Sequence, residues 1–233
     1  MAIFLIDSYV AEVDTIFGLY NGDRIYAGQS FITGAGRCYL DSCKFSLYKT
    51  LLPKGYAYAK LYAHTGIYGV DGTPTGSALA VSDAIDVETL PGTYPGAYIT
   101  FTFSGDNRID LTPNTHYFIE CYYTGGDSSN YIRVGSQYTT PTASGNESDS
   151  NDGINWTSRT HYDVCFYVYG DVWKYVSKHS SLWTHAGKDD AKHLSDWTNP
   201  SKNNSAWTNP NKNISAWTHP SKNDDTWTHP NRN

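Results

Sequence analysis

Strong helix formers are scarce in this chain. Methionine occurs once in 233 residues, and Glu and Leu are also sparse, which argues against a helical fold. No apolar stretch is long enough to cross a bilayer as a helix. The short apolar run at 3–6 has no basic residue before it and is ended by Asp7. It is not recognised as a signal peptide, so action outside the cell implies another route, such as release by lysis. The four cysteines, Cys38, Cys43, Cys121 and Cys165, form no CxxC pair and no zinc-like Cys/His spacing. Three of them sit in apolar runs, which reads as buried thiols; a Cys121–Cys165 disulfide is the alternative. The chain also lacks a Gly-x-Ser-x-Gly elbow, a His-Glu-x-x-His pair and a phosphate-cradling glycine loop. The expectation is a non-enzymatic protein with no cofactor and no metal.

What is abundant points to strands. Aromatic residues make up 15% of the chain, with 20 Tyr, and there are 20 Gly. Tyr and Thr favour pleated, half-buried surfaces, and Gly favours turns. Residues 1–170 carry 9 Lys/Arg against 17 Asp/Glu, a net −8, whereas residues 171–233 carry 8 against 6, a net +2. The acidic body repels nucleic acid, and the tail is too weakly basic to act as a counterion-releasing arm. Up to Gly170, strand-like runs recur at 24–32, 38–48, 56–63, 98–103, 115–123, 131–135 and 163–169. The first two read as a pair joined by the turn at 33–36. Within 56–63 the alternation is sharp: Tyr56, Tyr58, Lys60 and Tyr62 share one face, with Ala57, Ala59, Leu61 and Ala63 on the other. The polar stretch 139–154 reads as a long loop. The fold expected for residues 1–170 is an all-β, jelly-roll-like antiparallel β-sandwich.

After residue 170 the chain becomes repetitive. Trp173 and Trp183 lie ten residues apart, a four-residue insertion follows, and Trp197, Trp207, Trp217 and Trp227 then recur every ten. The unit is Trp-Thr-(Asn/His)-Pro-(Ser/Asn)-Lys-Asn. Ten residues on a helix leave successive Trp about 80° out of line, and the prolines forbid a helix. In an extended chain an even period puts every Trp on one face. Burying one Trp stabilises by roughly 2–3 kcal/mol, whereas ordering ten residues costs about 10–20 kcal/mol. A lone tail is therefore expected to order only against a partner. The six Trp are the expected assembly or docking residues of a 171–233 tail, and the partner is another copy or a scaffold protein.

Among possible sites in the body, loop-proximal aromatics rank first. Sugar-binding sandwiches stack ring faces on exposed Tyr and Trp, and Tyr68, Tyr94, Tyr131, Tyr138 and Trp156 are the candidates for a surface glycan. His161 and Asp163, two apart, would share a strand face but read as a surface pair. Asp149-Ser150-Asn151-Asp152-Gly153 resembles the start of a calcium loop, yet Thr160 stands where an EF-hand needs Glu; loop solvation is the simpler reading.

Several stretches carry a resemblance. Ala27-Gly28-Gln29-Ser30-Phe31, Leu40-Asp41-Ser42-Cys43-Lys44-Phe45-Ser46-Leu47-Tyr48-Lys49, Ala59-Lys60-Leu61-Tyr62-Ala63 and Phe166-Tyr167-Val168-Tyr169-Gly170 resemble the choice-of-anchor class of β-sandwich domains, which are similar to carbohydrate-binding modules. The Trp repeats resemble C-terminal repeats of tailed-phage and related virion proteins. Together these resemblances imply a structural or attachment protein of a virion appendage or extracellular fibre; the charge balance and the lack of a long apolar run add the expectation of no nucleic-acid partner and no membrane insertion. A soluble lectin-like module with a repeat spacer is the alternative.

Overall fold

The computed structural model describes residues 3–138 and 143–172. The tail from Trp173 onward, with all six repeat tryptophans, lies outside the described residues. Among the described residues fifteen strands follow one another: β1 (Ile3–Tyr9), β2 (Thr15–Leu19), β3 (Tyr26–Ile32), β4 (Cys38–Thr50), β5 (Tyr56–Thr65), β6 (Thr73–Val81), β7 (Ile85–Asp86), β8 (Ala97–Thr102), β9 (Asp110–Leu111), β10 (His116–Tyr122), β11 (Tyr131–Gln137), β12 (Glu147–Ser150), β13 (Trp156–Arg159), β14 (Asp163–Val164) and β15 (Phe166–Asp171).

They form two antiparallel sheets. One runs β1-β15-β4-β11-β14, with β2 added to β11 and β8 and β9 added to β4; the other runs β13-β12-β3-β10-β5-β6, with β7 beside β5. Inner-face side chains of both sheets belong to one apolar core. Leu40, Phe45, Leu47, Phe101, Val134 and Val168 come from the first sheet; Ala27, Ala57, Ala59, Leu61, Ile119 and Cys121 come from the second. The first sheet contributes bulky residues and the second mostly small ones, a complementarity that close packing requires. Each fully buried Leu or Phe stabilises by about 1.5–3 kcal/mol. All four cysteines are buried free thiols.

A polar clamp also ties the sheets. Gln29 of β3 donates from Nε2 to Asp163 Oδ1 at 2.8 Å and accepts from the Val164 amide at 3.0 Å. Asp163 is thus buried in a hydrogen-bond network while His161 is exposed, so the two do not form the surface pair expected of them.

Two sequence expectations are corrected. β3 and β4 do not pair; they lie in different sheets. Thr33, at the end of β3, is held by the segment before β10: its amide donates to the Thr115 carbonyl at 3.1 Å and its hydroxyl to the Thr112 carbonyl at 2.7 Å. That anchoring sends the chain across to the other sheet. The stretch 139–154 is not one long loop, because it contains β12, every residue of which is buried. β12 pairs with β3 on one side and β13 on the other. Its Asp149 is gripped by Arg24 at 3.0 Å and Arg159 at 2.6 Å. These partners make a polar strand tolerable inside the protein.

Candidate functional site

The outward face of the second sheet carries a continuous aromatic layer. The strand register aligns Trp156, Ser150, Tyr26, Tyr122 and Tyr58 in one lateral row across β13, β12, β3, β10 and β5. The rings touch in sequence: Trp156 to Tyr26 at 5.4 Å between centroids, Tyr26 to Tyr122 stacked at 4.7 Å, and Tyr122 to Tyr58 at 6.4 Å. Phe118, outside the main core, is fully buried against Trp156 at 6.0 Å. Tyr58, Tyr122 and Trp156 are half-buried, and Tyr56 at the end of β5 is 58% exposed. The period-2 alternation of β5 places Tyr56, Tyr58, Lys60 and Tyr62 on this face and sinks Ala57, Ala59 and Leu61 into the core.

Charge is built into the layer. The Lys60 ammonium lies 3.3 Å from the Tyr122 ring centroid and 5.0 Å from that of Tyr26, a close cation–π contact. Beneath it Glu120 is fully buried, and neither carboxyl oxygen has a partner in hydrogen-bonding geometry among the described residues. The Lys60 ammonium and Tyr62 hydroxyl face it, but burial dominates and pushes its pKa well above the usual carboxylate range. Burial also lowers the pKa of Lys60, against the opposing pull of Glu120. The Tyr26 hydroxyl is pushed up to about 12, first by burial and then by Glu120, so it remains a neutral donor. The backbone opposite Glu120 is Gly28; a Cβ there would meet the Glu120 Cα at 2.6 Å and the Ile119 carbonyl oxygen at 2.3 Å.

Of the expected sugar-binding residues, Trp156 belongs to this row. Tyr68 lies over another part of the same sheet, stacked on His116 at 4.2 Å and within 6.0 Å of His64. Tyr131 and Tyr94 fall on the first sheet's outer face. Arg133 bridges Tyr131 and Tyr48, over rings at 4.8 and 5.6 Å, and Tyr48 meets Tyr94 edge-on at 6.0 Å. Tyr138 packs on Tyr162 at 4.8 Å. The five are thus spread over both sheets. Tyr26, Tyr58, Lys60, Glu120 and Tyr122 were missed as site residues. Two signals pointed to them: the β5 alternation, and a lone Glu inside the apolar run Phe118-Ile119-Glu120-Cys121.

The calcium-like run is the β12–β13 hairpin. Asp152 Oδ1 accepts from the Ile154 and Asn155 amides at 2.8 and 2.7 Å, which hold its carboxyl well below the usual range, and the Asp149 carboxylate is occupied by two arginines. The expected tail contacts Trp173, Trp183, Trp197, Trp207, Trp217 and Trp227 lie outside the described residues. No protein-family model matches this chain, and no curated protein matches it.

Proposed function

We propose that this is a non-enzymatic attachment protein of a virion appendage or extracellular fibre, whose body holds a surface glycan on the outer face of its second sheet. The aromatic row from Trp156 to Tyr58 carries the reading. A run of five strands at about 4.8 Å spacing gives a face roughly 19 Å long, which suits several linked sugar rings rather than one. Apolar ring faces stack on Tyr and Trp, while the Lys60 ammonium and tyrosine hydroxyls offer donors to sugar oxygens. The two sheets are read as a jelly-roll-like sandwich, the architecture that the resemblance to carbohydrate-binding modules implies. The repeat tail is read as the segment that joins copies of the chain or docks on a scaffold, through Trp side chains that its even period aligns.

A glycan array with the full chain tests the body. Specific binding is expected, and Tyr58→Ala and Trp156→Ala should each weaken it at least tenfold with the melting temperature still cooperative. Unchanged binding in both variants, or none in the parent, would remove this face from consideration. The tail is tested separately by sedimentation: Trp207→Ala with Trp217→Ala should lower the assembled mass while leaving the body folded, and a persistent parental assembly would show that these Trp are not the contacts.

A further inference from the structure

On the first sheet, away from the aromatic row, a cleft of about 310 Å³ opens between the segment joining β1 to β2 and the segment entering β8. Glu12 and Val13 form one wall, Tyr94, Pro95 and Tyr98 the other, and Ser46 of β4 lies at the base. Its volume sits at the small end of cavities that hold small molecules, roughly 300–1,000 Å³.

The polar groups lining it have one character. The Tyr94 hydroxyl donates to the Val13 carbonyl, and the Ser46 hydroxyl donates to the Pro95 carbonyl at 3.1 Å. Both hydroxyls have used their protons within the protein, so only lone pairs remain for a guest. The Tyr98 hydroxyl is turned to the Cys165 thiol. Glu12 is exposed and adds a carboxylate, and among the described residues no Lys, Arg or His lines the cleft. The rest of the wall is aliphatic or aromatic, with Tyr94 56% exposed. Elsewhere on both outer faces tyrosines are interleaved with a resident cation: Lys60 on Tyr122, Arg133 on Tyr131, Lys44 on Tyr169. Here the rings and the carboxylate are present, and among the described residues the nearest ring-bound cations, Arg133 on Tyr48 and Lys44 on Tyr167, lie one ring away from Tyr94 and Tyr98.

We propose that this cleft binds a small organic cation: an ammonium group carried on a flat apolar body, the ammonium donating to Glu12 and the body lying against Tyr94. An anion would face the Glu12 carboxylate, with no charged donor among the described lining side chains. A neutral alcohol of the same shape would keep the apolar contact and lose the charge.

Benzylammonium is a suitable probe, titrated into the full chain and followed by NMR or calorimetry beside benzyl alcohol and benzoate. Benzylammonium should bind about tenfold tighter than the alcohol, and benzoate should not bind. Glu12→Gln and Tyr94→Ala should each cut the benzylammonium affinity several-fold. Tyr94→Phe, which keeps the ring, should retain most of the affinity and covers the case that Tyr94→Ala disturbs the fold. Equal binding of the alcohol would overturn the proposal. So would unchanged affinity in Glu12→Gln together with retained affinity in Tyr94→Ala, since the acidic body would then be attracting the cation elsewhere.

Discussion

Glu120 is a carboxyl group where the surroundings favour a neutral one. Its unfolded-state pKa is near 4.5 and burial raises the folded value well above that. Between the two, the unfolded chain releases a proton that the folded chain keeps. The contribution to stability is therefore present below about pH 4.5 and is lost as pH rises through the folded pKa. Gln has the same shape and never ionises. Glu120→Gln should melt at a higher temperature than the parent at pH 8, with the gap closing toward pH 4.5; a gap independent of pH would mean that Glu120 does not titrate as described. His64 acts in the opposite direction. Burial first, then His116, lowers its pKa against the pull of Asp71, so its contribution is present above about pH 6.5 and is lost as pH falls. Between about pH 4.5 and 6.5 the two groups therefore pull the stability in opposite directions.

At the level of strands, the outward face of the second sheet depends on how closely β3 and β10 approach. Gly28 is where they meet, and the atoms that a Cβ would strike belong to the backbone of a central strand. A side-chain tip could swing aside, but this backbone is pinned by β5 on its other edge. Gly28→Ala should cost about 3 kcal/mol by overpacking, measured by urea denaturation. Gly34, in the crossing between the sheets, has open space around it, and Gly34→Ala should change stability by only a few tenths of a kcal/mol, within the range of ordinary surface substitutions. Equal effects at the two positions would contradict the close approach. β12 teaches a related lesson: Glu147, Ser148, Asp149 and Ser150 are all buried; Arg24 and Arg159 grip the Asp149 carboxylate, whereas the Glu147 carboxyl, with Arg159 no nearer than 3.6 Å, has no hydrogen-bond partner among the described residues, and burial pushes its pKa well above the usual range.

For the molecule as a whole, the described body has a core of its own drawn from both sheets, closed by β15, which pairs with β1 and β4 and ends at Asp171. A chain ending at Val172 should therefore show one cooperative thermal transition at the temperature of the full chain's β domain. Loss of that transition would mean that tail residues complete the fold. The same chain would carry the acidic excess of the body without the basic tail, and should remain soluble at neutral pH.

Composition, turn residues and period-2 alternation were enough to establish an all-β body, because each is a local property: a strand's two faces are written in its own residues. Tyr56 to Ala63 is the clearest case, and the faces found in β5 are those its alternation indicated. The decapeptide repeat was equally legible, since it needs only counting. Pairing and proximity were not. The sheet to which β3 and β4 belong depends on Thr33 meeting residues about 80 positions away. The burial of β12 depends on arginines outside it in the sequence. The row Trp156-Tyr26-Tyr122-Tyr58 draws one ring from each of four strands separated by up to 130 residues. A residue type can announce that it could stack on a ligand, but which rings share a face is set by strand order and register, and these arise only when the core closes.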